Sequence, residues 1–510
     1  MTPQSAEVDQ APAKPADARL LVTTEADMRM IAPVRQRQGA AALLLMLAAL
    51  PSSAQNTLQT DTYRRMRAYV DGIPAIDTHE HLQPFVKLSN MVITEQGPGL
   101  NLYGVLQNSY YSWINPLAPW LPNMTFEKWW PVARNNFDSA RATTFYRFLL
   151  PAFKDLYGID FDSITDEQAR ELDRRIYENY KAPDWIYHVV TERANIELIV
   201  NDPYWARITE VPEYTFAALV FNVTPLVSGF HRSQYRYWPE DPYHFADQHQ
   251  MKVDSLDDYL NVLDALFQER KRAGAICLKS TLAYERTLHF EDVPRARAEA
   301  VFGKPRAELS AEQVKTFEDF IMWRLVELAA RYDLPFQIHT GQARIQGSNP
   351  MLLVDLIGAN PKTKFVLFHG GYPWVSETAV IGMRHTRNVW LDSCWLPTLS
   401  YAMAKRAYHE WLDAVPSNKI LWGGDGVHAE GIYGATVLTR RCVAEVLAER
   451  VDRGELREEH AQRIARQIFR DNALELFPSL RERLWKHQGE PLRPPASAPA
   501  QGREGAEGRR

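Results

Sequence analysis

Little in this chain suits a disulfide scaffold, a membrane protein or a nucleic-acid binder. Its 510 residues hold three cysteines, too few for a disulfide framework. Cys277 and Cys394 lie in apolar strand-like runs and Cys442 in a helical one, where a thiol serves as a small buried hydrophobe. A basic excess is missing: 58 Lys and Arg face 63 Asp and Glu, leaving a net charge of −5. No basic stripe marks a nucleic-acid surface, so nucleic acid is not an expected partner. The apolar run Gly39–Leu50 is shorter than the roughly 20 residues a spanning helix needs. No Gly-x-Gly-x-x-Gly follows the first strand-like run, which argues against a dinucleotide site. What is there is a globular composition, 45% hydrophobic and 24% charged, able to bury a large core.

The two ends read as something other than fold. Residues 1–27 are rich in Ala, Pro and acidic residues, without an apolar period, and read as disordered. Arg29, Arg35 and Arg37 then precede Gly39–Leu50, and Pro51 to Gln55 offers a small-residue cleavage pattern after Ala54. A basic start, a short apolar centre and a small-residue exit predict a secretory signal peptide over residues 28–54. Such a signal opens a chain, so translation is expected to begin at Met28 or Met30. The expected location is the periplasm or the exterior, with no stable membrane association after cleavage. The alternative is a short hydrophobic helix on a cytoplasmic protein. Residues 489–510 read as a solvated tail, leaving 55–488 as the folded unit.

Within that unit, eight short apolar runs alternate with amphipathic helical stretches. The runs start at Ala75, Ile196, Ala217, Ala275, Pro335, Lys364, Asn388 and Lys419. Ser255 opens a helical pattern ending at Gly274, and Ser310 with Gln313 forms a capping box before another. Strands alternating with helices pair in parallel through crossovers, so the expected fold is α/β, a (β/α)8 TIM-like barrel. An open doubly wound sheet is the alternative. Between Leu82 and Trp185 no barrel strand is legible. This stretch, about 84–187, holds Trp113, Trp120, Trp129, Trp130 and Trp185 and a capped helix opened by Thr165 and Gln168. It reads as a helical insertion after strand 1. Insertions there lie over the C-terminal mouth where such barrels keep their active sites. A lateral cap or an oligomer contact, and with it a homo-oligomer, is the alternative role.

Polar residues gather at strand ends. In Asp77-Thr-His79-Glu-His81 the two histidines are two apart, which puts both imidazoles on one face of a strand, able to chelate one divalent ion. His339 ends the fifth run, His369 the sixth, Asp425 the eighth and Lys279 the fourth. Polar groups at the ends of buried parallel strands need partners, and a metal is the economical one. Imidazole nitrogen and carboxylate oxygen suit zinc, iron or manganese. Arg232, Arg286 and Trp374 follow other runs and are weaker candidates for binding substrate, the arginines favouring a carboxylate. Asp202, His231, Asp392, Cys394 and His428 are weaker still.

The segments IDTHEHL, CLKSTLAYERTL, IHTGQ, FVLFHGGYPW, VWLDSCWL, KILWGGDG and DNALELF resemble the amidohydrolase superfamily. They are closest to its amidohydrolase-related branch, which includes nodulin-like domains fused to glutamine synthetases. The resemblance covers about residues 270–480 and 75–82, while the tryptophan-rich insertion is more like that of uronate isomerases. It implies that His79, His81, His339 and Asp425 bind one divalent metal, zinc above manganese or iron. It implies that His369 holds a second ion or acts as a general acid. Lys279 would be either carboxylated to bridge two metals or an ammonium facing an anionic substrate. Asp425, His369 and Lys279 are then the catalytic candidates. The expected activity is hydrolysis of a C–N, ester or lactone bond in a small anionic molecule. Uronate-type isomerisation, nonoxidative decarboxylation and a non-catalytic sensor are the alternatives.

Overall fold

The computed structural model describes residues 56–202, 214–234 and 241–487. The expected leader at 1–27, signal peptide at 28–54 and tail at 489–510 lie outside the described residues.

All eight runs are strands. They are β1 (Ala75–Glu80), β2 (Ile196–Asn201), β3 (Ala217–Asn222), β4 (Ala275–Ser280), β5 (Phe336–Ile338), β6 (Phe365–Leu367), β7 (Val389–Asp392) and β8 (Ile420–Leu421). They pair in parallel in sequence order. The seam is drawn together by bonds between the backbone of β1 and the segment running on from β8. Thr78 N–H donates to Trp422 O at 3.1 Å, Asp425 N–H to His79 O at 3.0 Å and His81 N–H to Gly426 O at 2.9 Å. The sheet is a nearly closed TIM-like barrel, as the alternation of runs and helices predicts, and the open doubly wound alternative falls away.

Strand side chains alternate between two cores, as the two-residue period requires. Ile199, Phe365, Leu367 and Leu391 join the large cluster shared with the helices. Their neighbours Leu198, Val200, Val366 and Trp390 join a second one, which Leu474, Leu476 and Phe477 also enter.

The helices start where their caps predict. They include α1 (Asp61–Asp71), α2 (Asp166–Asn179), α3 (Leu256–Arg272), α4 (Ala311–Tyr332) and α5 (Ala429–Asp452). Thr165 with Gln168 and Ser310 with Gln313 form capping boxes, and Ser255 makes a further one with Asp258. Among the described residues, no helix is long and apolar enough to cross a membrane.

The insertion fills the chain between β1 and β2. It is mostly helical, with one ribbon the sequence did not reveal, Val92–Thr94 paired antiparallel with Gly97–Gly99. Trp129, Trp130, Phe137, Tyr146, Phe153 and Phe161 pack into its aromatic centre. It is fastened to α5 through the buried carboxylate of Glu430, which accepts from Tyr157 Oη at 2.6 Å, Tyr180 Oη at 2.7 Å and Trp185 Nε1 at 3.1 Å.

Candidate metal centre

The first-strand histidines and the aspartate after the last strand meet at the barrel mouth. Asp425 Oδ1 lies 3.6 Å from His79 Nε2 and 3.4 Å from His81 Nε2. His81 Nδ1 lies 3.0 Å from the Asp202 carbonyl, so it carries the proton and leaves Nε2 as the lone pair facing Asp425. The second oxygen of Asp425, Oδ2, is held by Tyr110 from the insertion, whose hydroxyl lies 2.7 Å away and 2.6 Å from the Asp425 carbonyl. Asp425 itself sits at φ +64°, a left-handed conformation uncommon for a residue other than glycine.

These residues fit a divalent cation. Asp425 Oδ1 is buried and has no hydrogen-bond partner among the described residues, a costly state for a carboxylate oxygen. Two donors each about 2.1 Å from a tetrahedral centre lie about 3.4 Å apart, close to the separations found. His79, His81 and Asp425 form a group with metal-ligand spacing, and His369, Cys394 and Asp425 form a second.

His339 does not join His79, His81 and Asp425. Its Nε2 lies 2.9 Å from the Gln342 carbonyl and its ring packs 4.5 Å from that of Tyr284, which turns Nδ1 toward His369 Nε2 at 2.9 Å. His369 in turn gives its Nδ1 proton to the Cys394 carbonyl at 3.0 Å. With both outer nitrogens committed as donors, the two facing nitrogens both present lone pairs, so a shared proton or a cation must lie between them. Burial, and then the Lys279 ammonium, lower the pKa of His339 to about 3; burial, His339 and Lys279 push His369 well below its ordinary value.

Lys279 is almost fully buried. Its ammonium lies 3.4 Å from His79 Nε2 and 3.8 Å above the Phe368 ring, with no ion pair among the described residues. Burial lowers its pKa, against the pull of the Asp425 carboxylate. Beneath the histidines, Asp77 and Glu80 form a buried acidic pair. Burial raises Asp77 to about 7, and burial with the nearby Asp77 raises Glu80 well above the usual range. Glycine is required beside them: a Cβ on Gly424 would stand 2.2 Å from Glu80 Oε1.

Above the centre opens a cavity of about 500 Å³. The insertion supplies one wall with Gln107, Asn108, Ser109, Tyr110, Trp113 and Phe148, and β4 with its following loop supplies Lys279, Thr281 and Tyr284. His81, His339 and Asp425 also line it. The insertion thus borders the cavity at the barrel mouth.

Three sequence candidates lie elsewhere. Arg286 is bound to Glu318 at 2.9 Å and to Asp319, and lines a separate cavity. Arg232 makes a two-pronged pair with Asp247 at 2.8 and 3.0 Å. Trp374 sits in the turn before the helix Val375–Arg384 and does not line the cavity. The two guanidinium groups answer to local partners, which strand-end position could not reveal. Among the described residues, the lysines that line the cavity are Lys279 and Lys87. Tyr110, Trp113 and Lys87 were missed because their place depends on how the insertion folds back. Tyr284 lies in the quoted CLKSTLAYERTL segment, five residues beyond Lys279, and could have been found there.

Residues 205–479 match the family model described as Amidohydrolase. Protein fluG of Emericella nidulans is 29% identical over 194 residues, 36% of this chain and 22% of its own, so the match spans about a fifth of that protein. Glucuronate isomerase from Caulobacter crescentus shares the fold at 16% identity, with a TM-score of 0.67 over 84% of this chain and 95% of that one. A Lactobacillus casei protein proposed to be a metal-dependent hydrolase shares it at 18% identity, with a TM-score of 0.56 over 82% and 98%.

Proposed function

The chain belongs to the amidohydrolase family, and from that premise we propose that it is a hydrolase acting on a C–N, ester or lactone bond of a small anionic molecule. The observation that carries this reading is the unpartnered Oδ1 of Asp425, buried between two imidazole nitrogens. His79, His81 and Asp425 would hold one divalent ion, and His339, His369 and Cys394 line the place for another. Bound there, zinc or a similar ion supplies Lewis acidity toward a carbonyl and lowers the pKa of water to about 7.

The chain's own groups do the rest. Asp425 takes a proton from the attacking water as the new C–O bond forms. It returns that proton to the nitrogen or oxygen leaving as the scissile bond breaks, so the carboxylate is regenerated. Tyr110 holds the carboxylate in place through Oδ2. The Asp202 carbonyl orients His81. Lys279 offers its ammonium to the negative charge of the substrate or of the developing oxyanion. A homo-oligomer and a periplasmic or secreted location belong to the same reading.

Isomerisation of a uronate is the second reading, favoured by the fold shared with glucuronate isomerase over 84% of this chain. Protein loaded with zinc or manganese should be screened on N-acyl compounds, lactones and uronates. Asp425→Asn should abolish turnover while losing less metal than His79→Ala with His81→Ala. Near-normal activity in Asp425→Asn would overturn the hydrolytic reading; turnover of a uronate without uptake of water would establish the second.

A further inference from the structure

We propose that Cys394 is a metal ligand: its thiolate, with His369 and Asp425, forms a position at the barrel mouth that favours a thiophilic divalent ion. The proposal rests on the metal-dependent reading above, but not on which bond the protein cleaves.

The three residues follow consecutive strands: His369 lies after β6, Cys394 after β7 and Asp425 after β8. Their donor atoms all lie within 4.8 Å of one another. A sulfur about 2.3 Å and a nitrogen about 2.1 Å from one tetrahedral centre lie roughly 3.6 Å apart, so a small inward movement closes the set. Each of the three is at most 5% exposed. Asp425 Oδ1, buried and without a partner among the described residues, is an independent sign that a cation belongs here. The backbone is bent toward the same place. His369 at φ +61°, Trp395 beside Cys394 at φ +63° and Asp425 at φ +64° all take the left-handed conformation.

The fold fixes the cysteine and leaves its sulfur weakly bound. Cys394 N–H donates to Asp392 Oδ1 at 2.8 Å, and Asp392 Oδ2 accepts from Thr78 Oγ1 at 2.6 Å, which pins the backbone that carries the thiol. Among the described residues, the thiol's hydrogen-bond partner is the His79 carbonyl at 4.0 Å, a long contact even for sulfur. A Cβ on Gly423 would stand 3.2 Å from Sγ, so the glycine leaves the sulfur room. Cys277 and Cys442 are equally buried, yet among the described residues neither joins a group with metal-ligand spacing. Binding exchanges the S–H bond for a sulfur–metal bond, and the proton leaves to solvent through the cavity that Asp425 lines. A soft thiolate favours zinc over manganese or magnesium at this position, whereas His79, His81 and Asp425 make no such choice through sulfur.

The test is cobalt substitution of the full chain, read by absorption spectroscopy and elemental analysis. Cobalt held by a thiolate gives an intense sulfur-to-cobalt charge-transfer band in the near ultraviolet, which nitrogen and oxygen ligands do not give. The native protein should show this band. Cys394→Ser should lose it while still binding cobalt through His79, His81 and Asp425. Cys277→Ser with Cys442→Ser should keep it, which locates the sulfur even if Cys394→Ser fails to fold. Absence of bound cobalt, bound cobalt without the band, or a band that survives Cys394→Ser would overturn the proposal. The band in a protein that hydrolyses none of the screened compounds would support the sulfur ligand and count against the hydrolytic reading. Hydrolysis by a cobalt-loaded protein that lacks the band would do the reverse.

Discussion

Tyr110 and Asp425 are 315 residues apart in sequence, yet the tyrosine hydroxyl touches both the carboxylate and the carbonyl of the aspartate, at 2.7 and 2.6 Å. The insertion after the first strand thus positions the carboxylate that follows the last one. This hydroxyl ties the insertion to the floor of the barrel mouth.

Removing that hydroxyl should therefore matter without disturbing the core. Tyr110→Phe keeps the ring packed against Phe145 and Trp395 while freeing Asp425 Oδ2. Metal affinity or turnover should fall roughly 10- to 100-fold, as for other groups that orient metal ligands. Metal titration and thermal unfolding check this together; the unfolding midpoint should move little.

The facing lone pairs of His339 and His369 give a second prediction. If the His369 Nε2 holds one of two ions, His369→Ala in protein saturated with zinc should lose about half of the bound metal. Elemental analysis after gel filtration measures it. Full metal retention would mean that the two rings share a proton instead.

Glu430 ties the insertion to α5, and its loss should be felt as stability. Glu430→Ala leaves the Tyr157, Tyr180 and Trp185 donors buried without their acceptor, at a cost of about 3 kcal/mol or more. Urea unfolding would show it as a lower midpoint.

The same carboxylate makes that stability pH-dependent. Burial works to raise its pKa, but His428, Tyr157 and Tyr180 together hold it below the ordinary 4.5. With the folded pKa depressed, the contribution is fully present above pH 4.5 and is lost as pH falls through the lowered value. The stability gap between the native protein and Glu430→Gln should accordingly shrink below about pH 4.5 in pH-dependent urea titrations.

The expected leader yields a separate test. If residues 28–54 are a signal peptide, the secreted protein should begin at Gln55, which intact-mass measurement would show directly. A chain retaining Met1 would remove this proposal.

The sequence by itself determined the eight strands, their order and the helix starts. Those features depend on local rules: short apolar runs, a two-residue period, and caps such as Ser310 with Gln313. It also placed His79, His81 and Asp425 at one mouth, because strand ends in a parallel barrel all point the same way. What lies across the mouth was decided only by tertiary structure. Strand-end logic treated His339 as equal to His79, yet the Gln342 carbonyl and the Tyr284 ring turn it toward His369. It nominated Arg232 and Arg286 as substrate ligands, whereas Asp247, Glu318 and Asp319 claim them. Tyr110 and Trp113 carry no local signal, since their role comes from packing between segments hundreds of residues apart. A side chain's partner is set by whichever groups the fold brings within hydrogen-bonding reach, and that is a property of the closed barrel rather than of any stretch of its chain.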